Sequence, residues 1–194
     1  MEPTNLASKV LSEIQVRPVE RGEETRYQEQ MVRHHYLGGL PKIGETVWYV
    51  ATWREEWVAQ LSISAAALKC GVRDRWIGWD FRSQYGRLKL IANNSRFLIL
   101  PDWHRPNIGS RVLSLTERRV VTDWQTRFGH PLLLLETFVD PPALPWWRVS
   151  RSQLDRVGTD PGISTYPRRL QRGSRCPPSG SLFAPPVSQS SGGN

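Results

Sequence analysis

The sequence lacks the features that define secreted, membrane-spanning or zinc-binding proteins. It contains only two cysteines, Cys70 and Cys176, which argues against a disulfide framework and against the paired-cysteine spacing of a structural zinc site. No apolar run approaches the ~20 residues that cross a bilayer, and the first ten residues lack the basic and apolar regions of a signal peptide. We therefore expect a cytoplasmic protein with no membrane partner and assign no metal site.

Acidic residues are also scarce relative to basic ones. The chain has 26 Lys and Arg against 18 Asp and Glu, a net charge of +8 over 194 residues. Such a charge attracts polyanions, so nucleic acid or a phosphorylated cofactor is the expected class of partner. A chain of 194 residues with 39% hydrophobic residues can fill one hydrophobic core. We do not expect two independent cores.

The residue patterns predict an α/β (α+β) fold built on a mixed sheet. A polar segment over residues 21–35 has the spacing of a helix that ends near Gly38. Residues 45–53 and 55–66 alternate in the manner of an antiparallel strand pair. Further along, a buried strand at 97–100, a helix from Asn107 to Gly129 and an apolar strand at 132–139 predict a βαβ unit.

The chain changes character near Asp140. Residues 141–194 hold most of the prolines and end in SQSSGGN, a composition that cannot bury enough apolar surface to offset chain entropy. We therefore predict three parts: an N-terminal segment over residues 1–24, a folded domain over 25–140, and a disordered tail over 141–194.

Four stretches resemble the family of DruA, the protein of the Druantia anti-phage system, which also occurs beside insertion-sequence transposases. They are HHYLGG from His34, RDRWIGW from Arg73, NNSRFLILP from Asn93 and LLLLETFVDP from Leu132. The resemblance covers roughly residues 25–140. It implies a role in bacterial defence or mobile-element biology, with DNA and other defence or transposon proteins as expected partners.

The family pattern continues with AANW and LGxTxGF, which this sequence lacks. If Ser152–Gly158 is back-translated with suitable codons and read one base later, the frame gives ANWIEL. We therefore hypothesise that a frameshift near Pro142 replaced the family's C-terminus, and we expect an impaired and poorly soluble protein.

A second resemblance concerns a cofactor. The stretch from Phe97 to Arg118 is similar to the strand, loop and helix that bind acyl-coenzyme A in GNAT acetyltransferases. The resemblance implies that backbone groups and a helix N-terminus would face a pyrophosphate at Arg105, Ile108, Gly109 and Ser110. GNAT loops usually carry glycine where Asn107 stands, and Pro106 removes one N–H donor. A GNAT-like acyl-coenzyme A dependent transferase is thus the alternative function. Acyl-coenzyme A is predicted as a cofactor only for that function, and no other cofactor is predicted.

The sequence contains no complete catalytic constellation, so it leaves open whether the protein is an enzyme. The candidate acids and bases are His34, His35, Glu136 and Asp140. Histidine as a residue type ordinarily titrates near neutrality, and the two carboxylates share one face of a strand. The structural alternative is that Glu136 pairs with Arg73 or Arg96.

Cations interleave with indoles in the middle of the chain, at Arg73, Arg75, Trp76, Trp79, Arg82, Arg87 and Arg96. Guanidinium groups bind phosphates and aromatic rings stack on bases, so we predict nucleic-acid contacts at Arg73, Arg75, Trp76, Trp79 and Arg96. The alternatives are a tryptophan-rich core edge with a solvated rim and, for the whole protein, a non-enzymatic interaction module.

Overall fold

The structure is a computed structural model that describes residues 3–67, 70–139, 158–160 and 163–169. In these residues the helices are α1 (Pro3–Glu13), α2 (Glu24–His34), α3 (Gly71–Ile77), α4 (Phe81–Arg87) and α5 (Ile108–Phe128). The strands are β1 (Gln15–Pro18), β2 (Thr46–Trp53), β3 (Glu56–Ala65), β4 (Ile91–Ile99), β5 (Leu134–Val139), β6 (Gly158–Asp160) and β7 (Ile163–Arg169). None of these helices is long and apolar enough to cross a membrane.

The described strands form one sheet in the order β1-β2-β3-β4-β5-β7-β6. Strands β4 and β5 are parallel, and the other described pairs are antiparallel. Parallel neighbours need a crossover connection, which α5 provides. The predicted mixed sheet with a βαβ unit is therefore confirmed.

Helices α1 and α5 lie on one face of the sheet, which we call the apolar face. Every fourth residue of α5, from Ile108 to Trp124, is buried, because 3.6 residues per turn places them on one stripe. The Arg111 Nε atom donates to the Leu11 carbonyl at 2.9 Å, linking α5 to α1. Gly129 ends α5 at a φ of +78°, a left-handed conformation that glycine adopts without strain.

Helices α2, α3 and α4 lie on the opposite face, which we call the polar face. The alternate residues Gln60, Ser62 and Ser64 of β3 project towards it, and the Tyr27 hydroxyl of α2 lies 3.2 Å from Ser62 Oγ. Across the sheet, Glu136 of β5 projects to the same face, where it meets Arg73 of α3. Buried polar side chains are therefore concentrated on this face.

Two parts of the described structure extend beyond the predicted elements. Residues 3–18 form α1 and β1, and Val10, Ile14 and Val16 belong to the main hydrophobic core. Strand β4 begins at Ile91, so the predicted strand at 97–100 is the end of a longer one. Asn93, Asn94 and Ser95 are polar, so a search for apolar runs does not identify the first half of this strand.

The predicted disorder of residues 141–194 falls mainly outside the described residues. Within that segment, β6 and β7 are described, and β7 pairs with β5 from Leu134 opposite Arg169 to Val139 opposite Ser164. For these ten residues the structure has strands where disorder was expected. The edge of β5 supplies backbone hydrogen-bond partners that the composition of the tail does not reveal.

Candidate functional site

Strands β4 and β5 separate at their C-terminal ends and leave an opening in the sheet. Their pairing runs from Ile91 opposite Leu134 to Asn94 opposite Thr137. Beyond Asn94, β4 pairs only with β3 among the described strands, while β5 continues alongside β7. A register shift lies at the point of separation, because Ile63 faces Asn94 whereas Ser62 faces Arg96. Ser95 is thus an extra residue, a β-bulge that bends the strand.

The strand register directs the backbone N–H and C=O groups of two β4 residues into this opening. Leu100 N–H donates to the Val58 carbonyl at 3.0 Å, so Ile99 and Ala59 form a non-hydrogen-bonded antiparallel pair. The N–H and C=O groups of Ile99, and of Phe97 two residues earlier, therefore point away from β3 and into the opening. A ring nitrogen of His104 lies 2.9 Å from the Ile99 carbonyl oxygen.

The N-terminus of α5 borders the opening on the apolar face. A Cβ atom on Gly109 would lie 3.3 Å from Ile99 Cδ1 and 3.6 Å from Phe97 Cε1, so the first turn of α5 closely approaches β4. The Asn107 side chain makes no capping hydrogen bond. The N–H groups at Gly109 and Ser110 have no intrahelical partner, as in the first turn of any helix, and can bind an anion.

Asn107 adopts a φ of +67°, in the left-handed region, just before α5. Glycine is the usual residue in this conformation, and asparagine tolerates it better than most other residues. The departure from the GNAT pattern at this position therefore leaves the loop in a glycine-like conformation. Arg105 is exposed on the same loop, with its guanidinium 5.5 Å from the ring centre of the buried Trp103.

A buried ion network lies on the polar face below the opening. Arg73 and Glu136 are both inaccessible to solvent. Arg73 Nη1 donates to Glu136 Oε1 at 3.0 Å, and Arg73 Nε donates to Asp74 Oδ1 at 2.9 Å. Burial raises the pKa of Glu136 to about 7, although the Arg73 charge acts in the opposite direction. The predicted pairing of Glu136 with Arg73 is observed, and a buried, paired carboxylate cannot reach a substrate as a base.

The loop after α2 approaches β4 on the same face. Arg96 Nε donates to the Gly38 carbonyl at 3.2 Å, and His35 Nδ1 accepts from the Leu37 N–H at 3.1 Å. The rings of His35 and Tyr36 are stacked, with centroids 4.8 Å apart. Burial, followed by the nearby Arg96 charge, lowers the pKa of His35 to about 4. His35 is therefore neutral at pH 7, whereas His34 is exposed.

The connection between β3 and β4, residues 66–90, is longer than its strands require. Neighbouring antiparallel strands can be joined by a two-residue turn, yet this connection contains α3 and α4. We call it the insertion. Among the described residues of the insertion, the exposed cationic and aromatic side chains are Arg75, Trp76, Arg82, Tyr85, Arg87 and Lys89. Its apolar side packs on the sheet through Ile77, Trp79 and Leu88.

The structure divides the residues predicted to contact nucleic acid. Arg73 must be removed from that set, because it is fully buried and bonded to two carboxylates. Trp79 packs partly buried against the sheet. Arg75 and Trp76 are exposed, and Arg96 is half-buried beside the opening. Arg82 and Arg87, noted in the same basic and aromatic pattern, are exposed on the insertion. Lys89, which the prediction did not include, is exposed beside them.

The remaining candidates lie in different surroundings. Asp140 lies outside the described residues. Ile108 is buried at the start of α5 and Ser110 is half-buried in its first turn. Within the described part of the chain, no three His, Cys, Asp or Glu side chains come together as a metal site. Cys70 is buried.

A cavity of about 560 Å³ lies near the turn between β2 and β3. Arg17 and Glu23 on its wall form an ion pair at 2.6 Å, and Arg54 lies 3.3 Å from Glu13. Cations and carboxylates on this wall neutralise one another. We therefore place the candidate site at the β4–β5 opening.

Solved structures of GNAT acetyltransferases have a similar fold. NAA60 from Arabidopsis thaliana, in complex with acetyl-CoA, has a TM-score of 0.55 at 13% identity, covering 81% of this chain and 98% of that chain. Aminoglycoside acetyltransferase AAC(6')-Ib, in complex with coenzyme A, has a TM-score of 0.54 at 12% identity, covering 80% and 94%. A GNAT-family acetyltransferase from Streptococcus pneumoniae has a TM-score of 0.51 at 13% identity, covering 81% and 100%. At these identities the likeness concerns the fold, and it confirms the GNAT-like topology.

Comparison with curated protein sequences finds no match. The family model described as Druantia protein DruA matches residues 4–150. This match includes all four motifs noted in the sequence and extends to α1 at the N-terminal side. Since it spans well over half of the 194 residues, the chain belongs to the DruA family.

Proposed function

We propose that this chain binds acyl-coenzyme A at the β4–β5 opening and transfers the acyl group to an acceptor on the polar face. The main support is the geometry of the opening, where β4 peptide groups and the N-terminus of α5 face the same space. Fold relatives of this chain include proteins in complex with acetyl-CoA and coenzyme A.

The residues present fit such a cofactor. The Gly109 and Ser110 N–H groups and the positive end of the α5 dipole favour a pyrophosphate, and the exposed Arg105 adds a full charge. The Phe97 and Ile99 peptide groups can align an amide-containing chain as a neighbouring strand would. Acyl-coenzyme A, if bound there, would supply an activated thioester whose acyl group would pass to an acceptor amine, with the free thiol as the other product. Among the described residues we assign no catalytic base, so the protein's contribution is positioning.

Calorimetric titration with coenzyme A and acetyl-CoA tests this proposal. We expect binding by the wild type and at least tenfold weaker binding by Gly109→Leu, whose side chain would meet Ile99 and Phe97. Gly86→Leu is the matched control, since a Cβ there has nothing within 4 Å. Arg105→Glu should also weaken binding without touching the core. Absence of wild-type binding at millimolar coenzyme A would reject the cofactor proposal.

As a second function, we propose that the protein acts on or near DNA in bacterial anti-phage defence or beside transposases, with other proteins of those systems as partners. Membership of the DruA family supports the biological setting. The insertion supports the contact, because Arg75, Arg82, Arg87 and Lys89, among its described residues, are exposed together with Trp76 and Tyr85. Cations bind phosphates, and aromatic rings stack on bases.

Fluorescence anisotropy with labelled DNA at several salt concentrations tests this second proposal. Each phosphate contact contributes roughly 0.7 to 0.9 to the slope of log affinity against log salt. We therefore expect the triple variant Arg75→Ala, Arg82→Ala, Arg87→Ala to lower that slope by about 2 to 3. A wild type that binds neither DNA nor coenzyme A, yet retains a protein partner at moderate salt, would instead support an interaction module.

We also propose that a frameshift near Pro142 replaced the C-terminus typical of the family and impairs this copy. The out-of-frame ANWIEL reading across Ser152–Gly158 supports it. Sequencing the gene around codons 138 to 175 tests the idea directly. A neighbouring frame encoding AANW and LGxTxGF supports the frameshift, whereas an uninterrupted frame with no such reading rejects it.

A further inference from the structure

A group of side chains beside the opening is not used by the cofactor contacts. Arg96, His35 and Tyr36 lie on the polar face, whereas Gly109 and Arg105 belong to the α5 loop that borders the apolar face. Arg96 lies two residues beyond Asn94, where pairing with β5 ends. We call these three residues the Arg96 cluster.

Arg96 is available to an anion. Within the described residues its guanidinium donates hydrogen bonds to two neutral carbonyl groups, those of Gly38 and Ser95. None of the ion pairs within the described residues involves it. Arg73, also on the polar face, has two carboxylate partners. A half-buried guanidinium with no carboxylate partner among the described residues favours a phosphate or carboxylate ligand.

A planar surface lies next to this charge. The Tyr36 ring stacks on His35 at 4.8 Å yet remains 61% exposed, so its outer side is open to another ring. His35 Nδ1 accepts the Leu37 N–H, which holds the imidazole in place. An aromatic ring beside an unpaired cation combines the two contacts that a nucleotide needs, one for its base and one for its phosphate.

The register connects the Arg96 cluster with the insertion. Asn93 faces Glu136 across the β4–β5 pair, and Glu136 is bonded to Arg73 in α3. Arg96 faces Ser62, whose hydroxyl lies 3.2 Å from that of Tyr27 in α2. The insertion and the loop after α2 therefore lie on the same face along one strand, so a strand of nucleic acid can contact both.

We propose that the Arg96 cluster binds a nucleotide unit of single-stranded nucleic acid, with its phosphate on Arg96 and its base on Tyr36. This places the polymer at the mouth of the β4–β5 opening, where the acyl acceptor would be presented. The proposal rests on the proposed contact with DNA and specifies where on the molecule that polymer is held.

The test is anisotropy titration of a fluorescein-labelled 12-nucleotide oligo-dT against matched variants. Arg96→Ala should weaken binding at least tenfold. Arg118→Ala is the control, because Arg118 is an exposed arginine of α5 on the other face and its loss removes the same charge. Tyr36→Ala should weaken binding several-fold and Tyr36→Phe should not, since phenylalanine keeps the stacking surface. Tyr36 is exposed, so its two substitutions leave the core intact.

The outcomes separate this inference from the function on which it rests. If the wild type fails to bind oligo-dT or duplex DNA, the proposed contact with DNA is wrong. If the wild type binds but Arg96→Ala and Arg118→Ala weaken binding equally, the Arg96 cluster is not the site. Stronger binding of polyglutamate than of oligo-dT, lost in Arg96→Ala, would assign the cluster to an acidic peptide and overturn the nucleotide proposal.

Discussion

The two faces of the sheet are built from different kinds of residue. The apolar face, under α1 and α5, is filled by side chains such as Val10, Val112, Val120 and Trp124. The polar face, under α2, α3 and α4, contains buried Gln60, Ser62, Arg73, Asp74 and Glu136. Apolar packing stabilises the first face through burial, at roughly 25 cal/mol per Å² of apolar surface. The second face depends on hydrogen bonds and paired charges, which contribute less net stability and tolerate less change.

The two faces of the sheet therefore contribute differently to stability and to recognition. The apolar face anchors the α5 helix, whose N-terminus forms the proposed cofactor loop. The polar face uses its buried ion network to attach the insertion to β5, since Arg73 belongs to α3 and Glu136 to β5. Three predictions test this difference between the faces.

The largest expected effect is on the polar face. Arg73→Ala leaves the Glu136 carboxylate buried without its cationic partner, so we expect a loss of about 3–5 kcal/mol of unfolding free energy. Replacing both residues, with Arg73→Met and Glu136→Leu, should recover most of that loss. On the apolar face, Val120→Ala should cost about 1–2 kcal/mol through a cavity. Urea denaturation measures all three; an Arg73→Ala loss below 1 kcal/mol would contradict the role of the network.

The second prediction concerns pH. The pKa of Glu136 is raised from 4.5 to about 7 in the folded protein, so the folded state holds its proton more tightly than the unfolded state. The contribution of this raised pKa to the free energy of unfolding is fully present below pH 4.5 and is lost as the pH rises through about 7. Relative to wild type, Glu136→Gln should therefore lose the part of the pH dependence that arises from this group, on the order of 2 kcal/mol.

Urea denaturation of both proteins at pH 5 and pH 7.5 checks that difference. Arg73 and Asp74, the charged groups that act on Glu136, are present in both proteins. His35, whose pKa is lowered to about 4, changes stability in the opposite sense but equally in both. Parallel pH profiles for the two proteins would show that Glu136 does not titrate in this range.

The smallest expected effect is at the cofactor loop. Asn107→Gly keeps the φ of +67° accessible, so stability should change by less than about 1 kcal/mol and coenzyme A binding should be retained. Valine is strained in that conformation, so Asn107→Val should lower the free energy of unfolding by about 1–2 kcal/mol. It should also weaken coenzyme A binding. Thermal melts with and without coenzyme A measure the pair. Equal behaviour of the two variants would mean that the left-handed conformation is unimportant.

Local patterns were sufficient to predict several elements. The period of the α5 sequence and the glycine at position 129 predicted the long helix, and the structure ends it at Phe128. Alternation predicted β2 and β3, which pair as expected. The motifs quoted from His34 to Pro141 indicated the family. By contrast, the charged and aromatic residues of the insertion did not reveal α3 and α4, because short helices held by tertiary contacts have weak periodicity.

The order of residues along this chain already determined its charge, its helical and extended segments and its family, since these depend on composition and on neighbours a few positions apart. Tertiary structure decided which cations remain available. Arg73 and Arg96 were both predicted to contact nucleic acid, but α3 places Arg73 against Glu136 of β5, whereas Arg96 beside the β4 bulge contacts neutral carbonyls. Ion pairing depends on distance in space, so only the packing of β4, β5 and α3 separates the structural arginine from the one available to a ligand.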